Sequence, residues 1–557
     1  MSWTLIAGGW TRRTAVAAGC VVLVADLSGQ SASFKAPAPR FADPDRRAKL
    51  EKAFPEIDRM FQEYATARHI PGAAWGIIID GGLAHTGVTG YRDVPSKAPV
   101  TPDSVFRIAS MTKSFTAIAI LKLRDESRLS LEDPAEKYVP EMKALVYPTS
   151  DAPKITIRHL LSHAEGFPED NPWGDQQLAD TDEQLSAMIR AGIPFSNAPG
   201  VAYEYSNFGF AILGRVVANV SRETRGARGS EGPVASPTAA YTKYVTENVL
   251  KPLGMTSTTL EPSRVPADRL AHGYRWEDAQ WKNEPLLANG SFGSMGGMLT
   301  TLSDLGRYVG AFLAAWPPRD GAETGPITRS SLREMQQVWR PASAVVTKAS
   351  PSSAGLGGAS LQLSSGGYGF ALRISQTCQF PTVVAHGGGL PGFGTQMRWL
   401  PEYGVGLIAF GNLTYASWPG AFDAAQEALA RTGGLQPRVI EPSPALTSAR
   451  DAVAGLIVKW DDATADRIAA VNLFLDQSKD RRRAAIEGLR AQVGVCPPGS
   501  GFDHVENALR GDWTMTCERG RVRVAITLAP TVPPKVQFLS VGAVPAVEPP
   551  RAGTCPQ

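Results

Sequence analysis

A serine and a lysine three residues apart, in Ser110-Met111-Thr112-Lys113, have the spacing of an activated nucleophile. The apolar pattern that follows predicts a helix, and residues three apart lie on one face of a helix. A serine hydroxyl is a weak nucleophile until a neighbour takes its proton, and an adjacent amine can do this or assist another base. No other Ser-x-x-Lys occurs in the chain. Taken alone, the motif is weak evidence, because such a tetrapeptide is usually an exposed helix start.

A second candidate group is Tyr205-Ser206-Asn207, the only Tyr-x-Asn in the chain. A nearby ammonium stabilises a phenolate, so a lysine beside Tyr205 is expected to lower the phenol pKa and make it a general base. The Asn207 amide is expected to hold Lys113 or a substrate. The alternative is a buried tyrosine next to a helix N-cap supplied by Ser206 or Asn207.

A third group is His386-Gly387-Gly388-Gly389, which closes a predicted strand. Glycines on an edge strand let another backbone approach closely, so a substrate carbonyl is predicted to lie along Gly388 and Gly389. The N–H groups of Ser110 and Gly389 would then form an oxyanion hole. A glycine-rich hairpin with a hydrogen-bonded histidine is the alternative.

Together, the three motifs resemble the serine β-lactamase and penicillin-binding-protein superfamily. The Tyr-x-Asn form resembles the class C-like branch, which also holds D-alanyl-D-alanine carboxypeptidases, D-aminopeptidases and family VIII carboxylesterases. Residues 106–116 resemble the nucleophile segment of that branch, and the resemblance continues through Thr156-Ile157-Arg158-His159-Leu160-Leu161-Ser162-His163. It covers about residues 50–432.

The resemblance implies a role for each matching residue. Ser110 would be the nucleophile, Lys113 its proton partner and Tyr205 the general base. Asn207 would position Lys113 or the substrate, and His386 would line the cleft. Typical β-lactamases have Lys-Thr-Gly where this chain has His386-Gly387-Gly388, so a substrate-binding charge is missing and weak or no β-lactam hydrolysis is expected. No metal or other cofactor is implied.

The elements that must position these residues predict an α+β fold. A helix over about residues 44–68 precedes two strands, Gly72–Ile79 and Leu83–Tyr91, and a mainly helical middle follows. Residues 342–367 are predicted to be irregular. Four strands are predicted after them, over Tyr368–Ser375, Val383–His386, Gly394–Leu400 and Val405–Asn412, and then a helix near Phe422–Arg431. This order favours an antiparallel sheet flanked by helices, with an all-helical lobe.

The chain divides into four predicted segments. Residues 1–33 have the layout of a secretory signal, in which Arg12 and Arg13 precede an apolar stretch too short to span a bilayer. A linker (34–44), a hydrolase domain (45–435) and a small α+β accessory domain (445–557) follow. Export predicts a secreted or periplasmic protein, in which Cys496 and Cys517 are candidates for a disulfide.

Other functions are disfavoured. A formal net charge of +3 in 557 residues gives no basis for nucleic-acid binding. His159-x-x-x-His163 lacks the glutamate of a zinc protease, and no Gly-x-Ser-x-Gly occurs. The sequence therefore predicts an exported serine hydrolase acting through an acyl-enzyme on short-chain esters or D-amino-acid peptides, with a small molecule or short peptide as its partner and no membrane span. The alternatives are a β-lactamase proper and a non-catalytic penicillin-binding sensor.

Overall fold

The computed structural model describes residues 40–226, 235–348, 361–497 and 501–544. The predicted signal segment (1–33) and the first linker residues lie outside this part of the chain. Within it, no helix is long and apolar enough to cross a membrane.

The centre of the fold is an antiparallel sheet of nine strands in the order β3-β2-β1-β13-β12-β11-β10-β9-β8. Its strands are β1 (Gly72–Ile79), β2 (Gly82–Asp93), β3 (Ala98–Pro99), β8 (Arg340–Lys348), β9 (Leu361–Tyr368), β10 (Arg373–Thr377), β11 (Val383–Leu390), β12 (Phe393–Leu400) and β13 (Val405–Gly411). Two short ladders lie outside it, β4 (Phe106–Arg107) with β7 (Leu299–Thr300) and β5 (Gly273–Glu277) with β6 (Gln280–Glu284). Because β1 pairs with β13, the first and last strands of the hydrolase region meet in the middle of the sheet.

Helices cover both faces of the sheet. On one face, α1 (Arg46–Glu51), α2 (Phe54–Ala67) and α12 (Pro419–Arg431) pack on β1 and β13 around Phe61, Trp75 and Trp418. Helix α2 buries Phe54, Ile57 and Phe61, the apolar residues at helical spacing. The other face carries a larger core and the helical lobe. The lobe and its neighbours contain α3 (Thr112–Asp125), α4 (Ile157–Leu161), α5 (Trp173–Gln176), α6 (Asp182–Ala191), α7 (Asn207–Gly226), α8 (Pro237–Val245), α9 (Gly293–Gly296), α10 (Leu302–Ala314) and α11 (Arg329–Met335). The predicted α+β class, with its flanked antiparallel sheet, is confirmed.

The C-terminal part has a hydrophobic core of its own. Its helices are α13 (Pro444–Val458), α14 (Asp462–Ile468), α15 (Leu473–Asp476) and α16 (Lys479–Val493), and its four-stranded antiparallel sheet contains β14 (His504–Asn507), β15 (Arg510–Cys517), β16 (Gly520–Leu528) and β17 (Val536–Ala543). Cys496 and Cys517 form the expected disulfide, which ties the segment after α16 to the end of β15. From the sequence, Cys555 could pair with Cys378 or stay free, and it lies outside the described residues.

Two strand predictions are wrong. Residues 342–367 are not irregular throughout, because β8 and β9 lie there and extend the sheet beyond β10. Tyr368–Ser375 is not one strand, because Tyr368 ends β9 and Arg373 begins β10, and these two residues pair across a tight turn. The Ser- and Gly-rich composition of β9 has low β propensity, so its strand conformation depends on pairing with neighbours on both sides.

Candidate active site

Ser110 lies in a 3-10 turn (Ala109–Met111) immediately before α3. Two hydrogen bonds to Met298 fix the ends of the turn. The Ile108 N–H donates to the Met298 carbonyl, and the Met298 N–H donates to Thr112 Oγ1. Ala109 adopts a positive φ of 46°, a costly conformation for a residue with a side chain. These contacts hold Ser110 at the N-terminal end of α3 with 8% of its surface exposed.

Lys113 is fully buried and contacts three oxygen atoms. Its Nζ lies 2.9 Å from Ser110 Oγ, 2.6 Å from Asn207 Oδ1 and 3.0 Å from the Met295 carbonyl. The Asn207 amide oxygen and the Met295 carbonyl oxygen can only accept, so each accepts one N–H of the Lys113 amine. The third position on Nζ then faces the Ser110 hydroxyl. In the neutral amine that third position is the lone pair, which can accept the proton of Ser110.

Burial lowers the pKa of Lys113 to about 7, although the charges of Asp175, Asp170 and Glu169 act to raise it. An ammonium loses solvation in a buried site, and this favours the neutral amine. A substantial fraction of Lys113 is therefore unprotonated near neutral pH, as a base requires.

Asn207 is the first residue of α7, and its orientation is set by the loop before α5. Its Nδ2 donates to Asn171 Oδ1 at 2.6 Å, which leaves Oδ1 facing Lys113. The Asp170 carboxylate accepts from the backbone N–H groups of Asn207 and Phe208 and so caps the helix. Ser206 Oγ also accepts from the Gly209 N–H, as expected for a capping residue.

Tyr205 shares the pocket with Ser110 and Lys113. Lys113 Nζ lies 4.9 Å from the centre of its ring. The expected low phenol pKa is wrong for this state, because burial raises the pKa of Tyr205 well above its usual value. Interaction with the Ser110 side chain and the charge of Arg373 act in the opposite direction without overcoming burial. Tyr205 is therefore a neutral phenol that can donate a proton, and Lys113 is the better base.

His386 is 2% exposed and lies behind Tyr205. Its Nε2 is 2.9 Å from the Tyr368 hydroxyl, and its Nδ1 is 2.6 Å from the Gly387 carbonyl, which can only accept. Burial, with the charges of Arg373 and Lys113, lowers the pKa of His386 to about 3. The imidazole is therefore neutral, and it packs against the rings of Tyr205 and Tyr368.

Gly388 brings β11 against the turn that holds Ser110, and Gly389 brings it against Tyr415. A Cβ on Gly388 would lie 2.1 Å from the Ile108 carbonyl oxygen, and one on Gly389 would lie 2.6 Å from the Tyr415 ring. Strand β10 pairs with β11 only at residues 383–385, so the glycine half of β11 has no strand partner on that side among the described residues. Only glycine at position 388 allows this half-strand to approach the Ile108 carbonyl so closely.

The structure adds a cation that the sequence did not predict. Arg373, the first residue of β10, places its guanidinium carbon 5.9 Å from the centre of the Tyr205 ring. Arg373 as a residue is exposed, although burial beside three tyrosines partly desolvates its guanidinium, whereas Lys113 is fully buried. Arg373 supplies a positive charge beside Tyr205, where His386 supplies none. In the sequence, the only sign of this cation was one arginine in the predicted strand Tyr368–Ser375, and the bounds of that strand were wrong.

A contact between Asp175 and Tyr415 joins the two sides of the cleft. The Tyr415 hydroxyl donates to Asp175 Oδ2 at 2.9 Å, and its ring lies against Gly389. Burial raises the pKa of Asp175 to about 6, while the Tyr415 hydrogen bond and the Lys113 charge act to lower it. No motif marked either residue. Within the described residues no cluster of three or more His, Cys, Asp or Glu side chains is arranged to hold a metal.

Two curated relatives each match less than half of the chain. Protein flp of Staphylococcus aureus (strain N315) is 33% identical over 221 residues, which are 39% of this chain and 41% of that protein. Beta-lactamase-like protein 2 of Dictyostelium discoideum is 29% identical over 273 residues, or 47% of this chain and 45% of that protein. The chain thus spans less than half the length of these relatives.

Two solved structures share the fold. A penicillin-binding protein homologue from Pyrococcus abyssi, described as octameric, has a TM-score of 0.53 at 20% identity, covering 86% of this chain and 91% of that one. A class C beta-lactamase in complex with cefoxitin has a TM-score of 0.51 at 18% identity, covering 69% and 99%. The Beta-lactamase family model matches residues 57–432, which include Ser110, Lys113, Tyr205 and the glycine strand. With that match over about two thirds of its length, the chain belongs to the beta-lactamase family.

Proposed function

We propose that this protein is an exported serine hydrolase that acts through an acyl-enzyme on Ser110. The observation that carries the proposal is the position of Lys113 Nζ, held by two fixed acceptors and 2.9 Å from Ser110 Oγ. Such a pair of nucleophile and base within hydrogen-bond reach is the signature of covalent catalysis.

In the first half-reaction Ser110 Oγ bonds to the acyl carbon of the substrate while its proton passes to the Lys113 amine. The carbonyl oxygen becomes an oxyanion, and the N–H groups of Ser110 and Gly389 are proposed to stabilise it. The bond to the leaving group then breaks, and the neutral Tyr205 phenol, next to the new ammonium, relays a proton to the departing amine or alkoxide. Lys113 ends this step neutral again, having returned its proton to Tyr205.

In the second half-reaction water attacks the acyl-enzyme. Its oxygen bonds to the acyl carbon, its proton passes to the Lys113–Tyr205 pair, and Ser110 Oγ leaves and is reprotonated by that pair. The products are a free acid and the unmodified enzyme, so the cycle needs no cofactor.

The proposed substrates are D-amino-acid peptides with a free carboxylate and short-chain esters. Arg373 supports the peptides, because a guanidinium beside Tyr205 suits a substrate carboxylate. Small esters need no such contact. Weak β-lactam hydrolysis is proposed from His386, which is neutral and buried where typical β-lactamases have lysine. Arg373 would offset that loss if it bound the β-lactam carboxylate, so the cephalosporin assay decides between the two.

The test is hydrolysis of D-alanyl peptides, p-nitrophenyl esters and a chromogenic cephalosporin by the wild type and by Ser110→Ala. We expect turnover of the first two classes to fall by about 10⁴-fold or more in the mutant, as for the loss of a nucleophile. Ser114→Ala, one turn further along α3, is the matched control and keeps the activity. Unchanged turnover in Ser110→Ala would remove Ser110 from the mechanism.

A further inference from the structure

His163 holds the residues on both sides of Tyr205. Its backbone carbonyl accepts from the Glu204 N–H at 2.9 Å, and its Nδ1 accepts from the Ser206 N–H at 3.1 Å. One residue thus binds the chain immediately before and immediately after the tyrosine. The imidazole also contacts the Tyr205 ring, with 4.4 Å between the ring centres.

The conformation of His163 is unusual for a residue with a side chain. Its φ is 53°, in the left-handed region, where asparagine, aspartate and histidine are enriched over other residues with a side chain. The side chain is fully buried. A strained and buried position of this kind persists only when the surroundings enforce it, and such positions cluster at functional sites.

The hydrogen bond from Ser206 fixes the protonation of the ring. Because Nδ1 accepts, the proton of the neutral imidazole lies on Nε2, which has no hydrogen-bond partner among the described residues. The ring is packed among Tyr203, Tyr205, Phe210 and Tyr368. The Glu165 carboxyl, 3.9 Å away, is also fully buried and has no hydrogen-bond partner for its side chain among the described residues.

We propose that His163 is a positioning residue for Tyr205, acting through its two hydrogen bonds to Glu204 and Ser206. It sets the backbone of the tyrosine segment so that the phenol meets Ser110 and Lys113, and it does not itself touch the substrate. The inference rests on the proposed acylation of Ser110 and adds a residue to it. The sequence resemblance includes His163 without implying a role for it.

Three substitutions of His163 test separately the acceptor atom at the δ1 position and the shape of the side chain. His163→Asn keeps an acceptor atom at the δ1 position and tolerates a positive φ. His163→Leu has nearly the same shape as asparagine without the acceptor, and His163→Gly lacks the acceptor but adopts the backbone conformation freely. His159→Asn is the matched control, because His159 Nδ1 also accepts a backbone N–H, from Thr156 at the start of α4, away from Tyr205.

The measurement is the acylation rate constant per titratable Ser110, so that misfolded protein is not counted. We expect His163→Leu and His163→Gly to acylate about 10–100-fold more slowly with little change in KM, since a misplacement of about 1 Å can cost a factor of this size. His163→Asn and His159→Asn are expected to stay close to the wild type. Wild-type rates in both the Leu and Gly variants, or an equal loss in the Asn variant, would overturn the proposal.

A second readout does not depend on activity. The ¹⁵N chemical shifts of His163, assigned by their loss in His163→Asn, are expected to show an unprotonated Nδ1 and a protonated Nε2. A proton on Nδ1 would contradict the hydrogen bond from Ser206. If the wild type fails to acylate at all, the proposed function fails, while this spectrum still tests the geometry by itself.

Discussion

The two walls of the cleft hold their functional groups by different means. The helical wall contains Ser110, Lys113, Tyr205 and Asn207, and the sheet wall contains Arg373, Gly388, Gly389 and Tyr415. On the helical wall, a few buried hydrogen bonds fix each polar atom. On the sheet wall, strand register and the absence of side chains bring the backbone close to the turn that holds Ser110. Substitutions on the helical wall should therefore change the chemistry, and those on the sheet wall should change packing and substrate choice.

After Ser110→Ala, the largest effect is expected from Lys113→Met. Loss of the amine removes the acceptor of the Ser110 proton, and we expect kcat/KM to fall by about 10²–10⁴-fold for every substrate. The rate of acylation, followed by intact-mass spectrometry, checks this. Lys122→Met, on the same helix but binding the Pro326 carbonyl, serves as the control. A retained acylation rate in Lys113→Met would mean that the helical wall does not supply the base.

Arg373→Gln should affect one substrate class selectively. A charge-assisted hydrogen bond contributes about 1.5–3 kcal/mol, so kcat/KM for a peptide with a free carboxylate is expected to fall by about 10–100-fold. A neutral ester should lose much less, and the ratio of the two values is the measurement. Arg398→Gln, on β12 and bound to Asp423 and Gln426, should leave the ratio unchanged. Equal losses for both substrates would show that Arg373 acts on the chemistry and not on binding.

Gly388→Ala should act through packing. Its Cβ would lie 2.1 Å from the Ile108 carbonyl oxygen, so the strand or the nucleophile turn must shift, at a cost of about 1–3 kcal/mol in the free energy of unfolding. At the neighbouring Gly387 the nearest atom would be 3.7 Å away, and Gly387→Ala is expected to change stability by less than about 0.5 kcal/mol. Urea unfolding measures the free energy of unfolding of both variants. Equal values would show that the sheet wall accommodates the added Cβ by shifting at little cost.

The smallest effect is expected from Asp175→Asn, at the contact between the walls. The Asp175 charge raises the pKa of Lys113, so its removal should lower that pKa. The acid limb of the pH–rate profile would then move to lower pH, with little change in the maximal rate. A shift to higher pH would show that the two groups are not coupled in this way.

The sequence predicted the helical wall better than the sheet wall. Ser110, Lys113, Tyr205 and Asn207 belong to short motifs, and the chemistry that these motifs need is visible in their spacing. The structure brings all four into one pocket, and the resemblance on which they rest is confirmed by the family match. The sequence analysis expected Lys113 to lower the pKa of Tyr205. Burial instead raises the pKa of Tyr205 and lowers that of Lys113, and no local motif reports burial.

The sheet wall depends on contacts between distant parts of the chain. Arg373 reaches the site because β10 pairs with the first half of β11 and stops there, and the register of a sheet is a tertiary property. Tyr415 reaches Asp175 across 240 positions of sequence. The strands of largely apolar residues, such as β1 and β13, were predicted nearly to their ends, whereas β8 and β9 were missed because Ser and Gly have low strand propensity.

The most direct test of the account is the pH dependence of Ser110 acylation from pH 5 to 9. A neutral Lys113 with a pKa of about 7 predicts that the rate constant rises about tenfold per pH unit below that value, as the ammonium loses its proton, and then levels off. This limb should be absent from the residual activity of Lys113→Met. A rate that is flat across neutral pH in the wild type, or a limb that survives the loss of Lys113, would contradict the assignment of Lys113 as the base.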